Sequence, residues 1–323
     1  MKISTTSKFF IQFGLTIFIL WGLFKIWHID LSLIGLTEKI STDKILFLFA
    51  SLIAINIAIT YRWKILLDAL KIDAKFVEIL ARIGMGNLIN LLSPGGILGD
   101  FLRGIGLDKT SASQVSSMGS VCADKISGLI AALLIFLVSY SFRKDAFDLN
   151  ALTTAFGLTV IICVGLASAT YVVCILSKKS SHSRPEIKKM LSIFNNYISS
   201  LILFRGHKKR LLVTLIISVF LLYLNAFALW LIGQEIGVNN FNSVVMALSL
   251  SFLTTLIPVS IGGIGTREAT FIIVLGAYGV KPEEAALLSV TWFCSLLFVY
   301  AIHAAWSLSH RPILLTELLT KKN

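Results

Sequence analysis

The chain has 323 residues, 56% of them hydrophobic and 14% charged, and its mean hydropathy is +0.85. Soluble domains carry about a quarter charged residues, so a multidomain soluble enzyme, a nucleic-acid-binding module and a disordered tail are excluded, and a polytopic, all-α integral membrane protein remains. The net charge of +12, from 29 Lys+Arg against 17 Asp+Glu, fits either nucleic acid or membrane topology, and its distribution decides between them.

Crossing the bilayer core takes roughly 20 apolar residues, and on that scale the chain offers about six full spans. Phe9–Phe24 lies between Lys8 and Lys25, has no small-residue cleavage site after it, and is read as a retained first helix. Ile45–Tyr61 is the second span, followed by Arg62 and Trp63, read together as a boundary anchor. Ile126–Phe142, extended back to Ser120, Leu149–Ser177, Leu211–Gln234 and Ala285–His310 complete the set. Between them, Ile187, Met190, Leu191, Phe194, Tyr197, Ile198 and Leu201 form one face of an amphipathic interfacial helix within Pro185–Arg210. The four cysteines, Cys122, Cys163, Cys174 and Cys294, lie in apolar stretches and read as small buried hydrophobes. His303 reads as a satisfied interior histidine rather than a proton carrier.

Charge orients the chain. Lys178–Arg210 holds nine Lys/Arg and one acid, hence +8, and belongs on the cytoplasmic side. Alternation from there puts both termini inside and leaves about +14 inside against −2 outside. Topology thus accounts for the basic excess, with anionic headgroups of the inner leaflet as an added attraction, and nucleic acid is not needed. The expected organisation is one membrane domain over 1–323: a first half 1–177, a basic linker 178–210, a second half 211–310 and a cytoplasmic tail 311–323.

Two stretches resist reading as spans. Ile83–Gly99 is broken by Asn87, Asn90 and Ser93-Pro94-Gly95-Gly96, and Ile236–Ala277 by Pro258 and Gly262-Gly263-Ile264-Gly265. The orientation requires each to leave on the side it entered. They are therefore read as two re-entrant hairpins of opposite polarity, within 83–103 and 243–280, the pattern of an inverted repeat. With Pro94 and Pro258 aligned, Arg103 and Arg267 align as well, nine positions on, and so do Gly99 and Gly263. Each arginine has an acid beside it, Asp100 or Glu268.

Non-helical backbone at membrane depth must be buried in protein or line a wet cavity. Glycine permits the turn, freed N–H groups favour anions, and arginine grips phosphate with paired hydrogen bonds. The candidate headgroup site is therefore Asn87, Asn90, Pro94, Gly95, Gly96, Gly99, Asp100, Arg103, Asp124, Pro258, Gly262, Gly263, Gly265, Arg267 and Glu268. Asn87 and Asn90 are read as partners of the broken backbone or of a headgroup, and Asp124 as facing the cavity or sitting at the interface. The competing structural reading makes Asp100–Arg103 and Arg267–Glu268 salt bridges that pin the hairpins. No metal ligand set, cofactor motif or nucleotide-binding G-x-x-x-x-G-K-[ST] occurs, so transport would be passive, exchange-driven or ion-coupled.

The run Pro94-Gly95-Gly96 with Gly99-Asp100 and Arg103, and then Pro258 with Gly262-Gly263-Ile264-Gly265-Thr266-Arg267-Glu268-Ala269, resembles the lysylphosphatidylglycerol synthase transmembrane region, a flippase-like membrane protein family. The likeness spans about Ser7 to Leu308, and Arg62-Trp63 with Leu66-Leu67 also fits it. Asp124-Lys125 stands where an acid followed by arginine is expected, which weakens a specific role for Lys125. In the full synthases this region moves aminoacylated phosphatidylglycerol between leaflets. With about a dozen residues after the last span, the resemblance implies the translocating part without the aminoacyl transferase.

The expectation is a non-enzymatic lipid translocase of the inner (cytoplasmic) membrane, acting on a phospholipid, glycolipid, hopanoid or polyprenyl-linked lipid. Its alternatives are an intramembrane enzyme using Asp100, Asp124 or Glu268, and a partner presenting lipid to a lipid-modifying enzyme. The inverted motif pair favours translocation, since a one-sided enzyme has no need of two-sided symmetry.

Overall fold

The computed structural model describes residues 40–93, 95–96, 98–104, 107, 111–142, 203–256 and 260–310. The expected first span, the span Leu149–Ser177, most of the amphipathic helix, the tail, Pro94 and Pro258 lie outside the described residues. Eight α-helices follow in order: α1 (Thr42–Ala69), α2 (Phe76–Leu91), α3 (Leu98–Gly104), α4 (Ser111–Ser141), α5 (Lys208–Gly233), α6 (Phe241–Thr254), α7 (Thr266–Gly276) and α8 (Pro282–His310).

Four of them, α1, α4, α5 and α8, are long and apolar enough to cross a membrane. At 1.5 Å per residue the 28 residues of α1 reach about 42 Å, against a hydrocarbon core of about 30 Å. These four coincide with four of the six expected spans. Their outward faces are apolar: Leu212, Ile216, Phe220 and Phe227 are exposed along α5, as are Ile130, Leu134 and Leu137 along α4. The spacing of three to four residues makes each a continuous stripe on one helix side, suited to lipid.

The other helices are short. The 16 residues of α2 and 14 of α6 reach only about 24 and 21 Å. Each packs against the still shorter helix that follows it, α3 or α7, across a glycine turn.

A two-fold pattern organises the bundle. In each half a long helix is followed by two short ones and a second long helix. When α1–α4 are exchanged with α5–α8, the packed pairs map onto themselves. Thus α2 packs on α8 as α6 packs on α4, α1 meets α2 as α5 meets α6, and α1 and α5 pack on each other. The first helix of each hairpin leans on the last helix of the other half, so neither half closes its core alone. The main core runs from Leu48 and Leu52 through Leu229, Ile232, Val244–Leu248 and Phe271 to Leu288. A second cluster around Trp63, Leu66, Ile79, Ile83 and Phe204 closes one end.

Candidate functional site

The two glycine turns meet inside the bundle. In the first, Gly95 and Gly96 take φ of 68° and 57°; in the second, Gly262, Gly263 and Gly265 take 63°, 75° and 89°. These left-handed values carry little cost only for glycine. Gly262 N–H approaches the Ser93 carbonyl at 3.4 Å, and a side chain at Gly262 would overlap the Leu91 carbonyl.

Gly99 is different from the turn glycine with which it aligns. It lies within α3, and glycine is required there by a close approach: a Cβ would run into the carbonyl of Gly86 on α2. Gly99→Ala is expected to destabilise the protein by about 3 kcal/mol, because backbone cannot yield as a side chain can. Thermal unfolding of the purified protein checks this, with Gly276→Ala as the control, since a Cβ at Gly276 meets nothing within 4 Å.

The backbone donors expected to await an anion are already used. The Asn90 side-chain oxygen accepts from Gly99 N–H at 2.8 Å and from Asp100 N–H at 3.2 Å. The Glu268 carboxylate reaches back to Gly265 N–H, the carboxylate half of a capping box at the start of α7, and also accepts from Ser289 Oγ at 3.1 Å. Asn87 donates to Asn56 Oδ1 at 2.8 Å. The asparagines and Glu268 thus brace the breaks.

A cavity of about 270 Å³ lies between the hairpins. Its walls include Asn87, Asn90, Gly95, Gly96 and Gly262 with Asp100, Arg103, Asp124 and Arg267, all foreseen from the sequence. Gly99, Gly263, Gly265 and Glu268 stand behind that wall as support. Arg62, Lys125, Ser218, Asn225, Ser251, Trp292 and Tyr300 also line it and were not foreseen.

Arg62 corrects the expectation of a boundary anchor. It is 8% exposed, donates from Nε to Asp124 Oδ1 at 2.7 Å and from Nη1 to Ser218 Oγ at 2.6 Å. Trp63 is likewise buried, with its indole N–H on Ser120. α1 continues eight residues beyond Tyr61 to Ala69, so Arg62 falls inside the helix and turns inward. Lys125 also gains a definite role: its Nζ lies 3.0 Å from Asp100 Oδ2 and 3.2 Å from the Gly96 carbonyl, tying α4 to the first turn.

Arg103 and Arg267 are not equivalent. Arg103 stacks 4.5 Å from the Trp63 ring, pairs with Asp100 at 3.3 Å and with Asp124 at 2.9 Å, so its expected salt bridge exists. Asp124, 1% exposed, faces the cavity and joins Arg62 to Arg103. Arg267, 3% exposed, lies 5.1 Å from the Trp292 ring and 4.7 Å from the Phe293 ring, and its Nη2 donates to the Gly262 carbonyl at 2.6 Å. Its Nε and Nη1 find no partner among the described residues. Glu268 forms no ion pair with it among the described residues, having turned to Gly265 and Ser289. The cavity wall thus carries four cations against two carboxylates; Arg62, Arg103 and Lys125 share both carboxylates, and Arg267 pairs with neither.

A UPF0104 membrane protein of Pyrococcus horikoshii is 24% identical over 286 residues, covering 81% of this chain and 82% of that one. A UPF0104 membrane protein of Methanocaldococcus jannaschii is 22% identical over 267 residues, covering 77% and 79%. No solved structure matches. Residues 9–303 match the lysylphosphatidylglycerol synthase transmembrane region, a stretch that holds both hairpins and every residue of the cavity wall. The chain therefore belongs to the lysylphosphatidylglycerol synthase transmembrane region family.

Proposed function

We propose that the protein is a lipid translocase that carries an anionic or glycosylated lipid between the leaflets of the cytoplasmic membrane. The observation that carries this reading is a cationic cavity bounded by the turns of both hairpins of a two-fold repeat. A buried arginine with unpaired donors in a membrane protein is costly unless a ligand compensates it. A volume of about 270 Å³ suits a headgroup and leaves the acyl chains outside, along the bundle. The helix pairs α2–α3 and α6–α7 would be re-entrant, entering from opposite sides, with the +8 loop Lys178–Arg210 and both termini cytoplasmic.

Enzymatic use of the carboxylates draws less support, since Asp100 and Asp124 are held in ion pairs and Glu268 caps α7. Presentation of lipid to a separate enzyme would use the same cavity, without movement between leaflets.

Reconstitution discriminates these readings. Liposomes with the wild-type protein are expected to equilibrate labelled lipid between leaflets, and Arg103→Ala and Arg267→Ala to slow it. Absence of scrambling for phospholipid, glycolipid and polyprenyl-linked lipid alike, with a modified product on chromatography, would overturn translocation in favour of catalysis. Single cysteines near Ile97 and Ser260 are expected to react with impermeant reagents from opposite faces; labelling from one face removes the inverted arrangement.

A further inference from the structure

Asp124 stands where a phosphate would stand between two arginines. Its Oδ1 accepts from Arg62 Nε at 2.7 Å and its Oδ2 from Arg103 Nη2 at 2.9 Å. A phosphate ester offers the same recognition pattern, two anionic oxygens on one centre, each accepting a guanidinium N–H. Arg103 also keeps Nε unpaired.

On the second-half side of the same cavity, Arg267 Nε and Nη1, Trp292 Nε1 and Ser251 Oγ are all without partners among the described residues. One cavity therefore contains an arginine, Arg267, with two donor nitrogens free among the described residues and an arginine, Arg103, whose Nη1 and Nη2 are held by the carboxylates of Asp100 and Asp124. Buried donors left unpaired carry a penalty that an incoming acceptor removes, so an anion gains most at Arg267. Transfer to Arg103 requires that Asp124 give way there. It can do so without becoming an isolated buried charge, because Arg62 retains it.

We propose that the cavity has two phosphate stations, Arg267 and Arg103, and that Asp124 is the exchangeable counter-ion which competes with the phosphate at the second. The lipid source of that phosphate rests on the translocase reading; the two stations do not. A phosphate ester docks at Arg267, then replaces Asp124 on Arg103 while Asp124 stays with Arg62. The returning carboxylate expels it. Because Asp124 keeps Arg62, the phosphate adds its negative charge to a wall of four cations and two carboxylates, and the carboxylate that competes for Arg103 stays at hand to release it.

The test uses the purified full chain with inorganic phosphate as probe, read by thermal unfolding. In parallel, binding is measured to vesicles of a phosphate-free glycolipid with and without added phosphatidylglycerol. Wild type is expected to show weak stabilisation by phosphate that Arg267→Gln abolishes. Asp124→Asn is expected to reach half-maximal stabilisation at about tenfold less phosphate or lower, as removal of an internal competitor requires. Arg103→Gln in the Asp124→Asn background reverses that gain.

An unchanged phosphate response in Asp124→Asn, or a gain that survives Arg103→Gln, overturns the proposal. If Asp124→Asn folds only with phosphate present, the ligand is replacing the carboxylate, as proposed; if phosphate does not recover it, the carboxylate is purely structural and the proposal fails. Gain with phosphatidylglycerol vesicles assigns the stations to a lipid, and gain with inorganic phosphate alone assigns them to a free anion. Wild-type scrambling with an unchanged Asp124→Asn response removes the counter-ion and leaves the translocase. A sharpened response without scrambling does the reverse.

Discussion

Arg103→Met is expected to lower the melting temperature by roughly 10 °C. Removal of one partner from a buried ion pair costs about 3–5 kcal/mol; Asp100 keeps Lys125 and Asp124 keeps Arg62, which places the loss at the lower end, and each kcal/mol corresponds to roughly 2–4 °C in a domain of this size. Arg103 has two such partners, Asp100 at 3.3 Å and Asp124 at 2.9 Å, and it also covers Trp63. Methionine restores the packing but not the charge, which isolates the electrostatic loss. Arg103→Met combined with Asp124→Asn is expected to lose less than the sum of the two single variants, because the shared interaction is removed once rather than counted twice. Thermal unfolding of the single and double variants in one detergent checks both statements. A double variant less stable than the additive expectation would show that Asp124 and Arg103 do not act as a pair.

Parts of this arrangement are legible in the sequence and parts are not, for physical reasons. Long uncharged runs give α1, α4, α5 and α8 because the bilayer sets their length and composition. The breaks are visible because glycine takes the positive φ of Gly95, Gly96, Gly262, Gly263 and Gly265 at little cost. Alignment of Arg103 with Arg267 is also readable, but it hides a difference in helix phase. Arg103 falls in the last turn of α3, whereas Arg267 is the second residue of α7, since the later glycine turn delays helix formation. Gly99 and Gly263 align and yet serve separate needs, a helix contact in one case and a turn in the other.

Arg62 was misread because a cation after an apolar run usually marks a membrane boundary. Nothing local signals that α1 continues to Ala69. Its partners Asp124 and Ser218 lie 62 and 156 residues away, and such pairing is set by tertiary packing alone. For the same reason the motif pair suggested the repeat, but the interlocking of α2 with α8 and of α6 with α4 required the fold.

Arg267→Met is expected to separate function from stability in the opposite sense. Lipid scrambling should fall by about tenfold to a hundredfold, the equivalent of losing hydrogen bonds to a charged group worth about 1.5–3 kcal/mol. The melting temperature should hold or rise. Arg267 is 3% exposed and has no carboxylate partner among the described residues; two of its donors are unpaired. Its one polar contact is the Gly262 carbonyl at 2.6 Å, and the rest is ring stacking on Trp292 and Phe293, which a thioether side chain replaces well. Burying that charge costs the fold more than its single hydrogen bond returns, so its removal relieves the resting protein and deprives the ligand. Scrambling assays on liposomes matched for protein content, with melting curves on the same preparations, read both effects. A loss of stability as large as that of Arg103→Met would make Arg267 a strut of the second hairpin, and unaltered scrambling would remove it from the headgroup path.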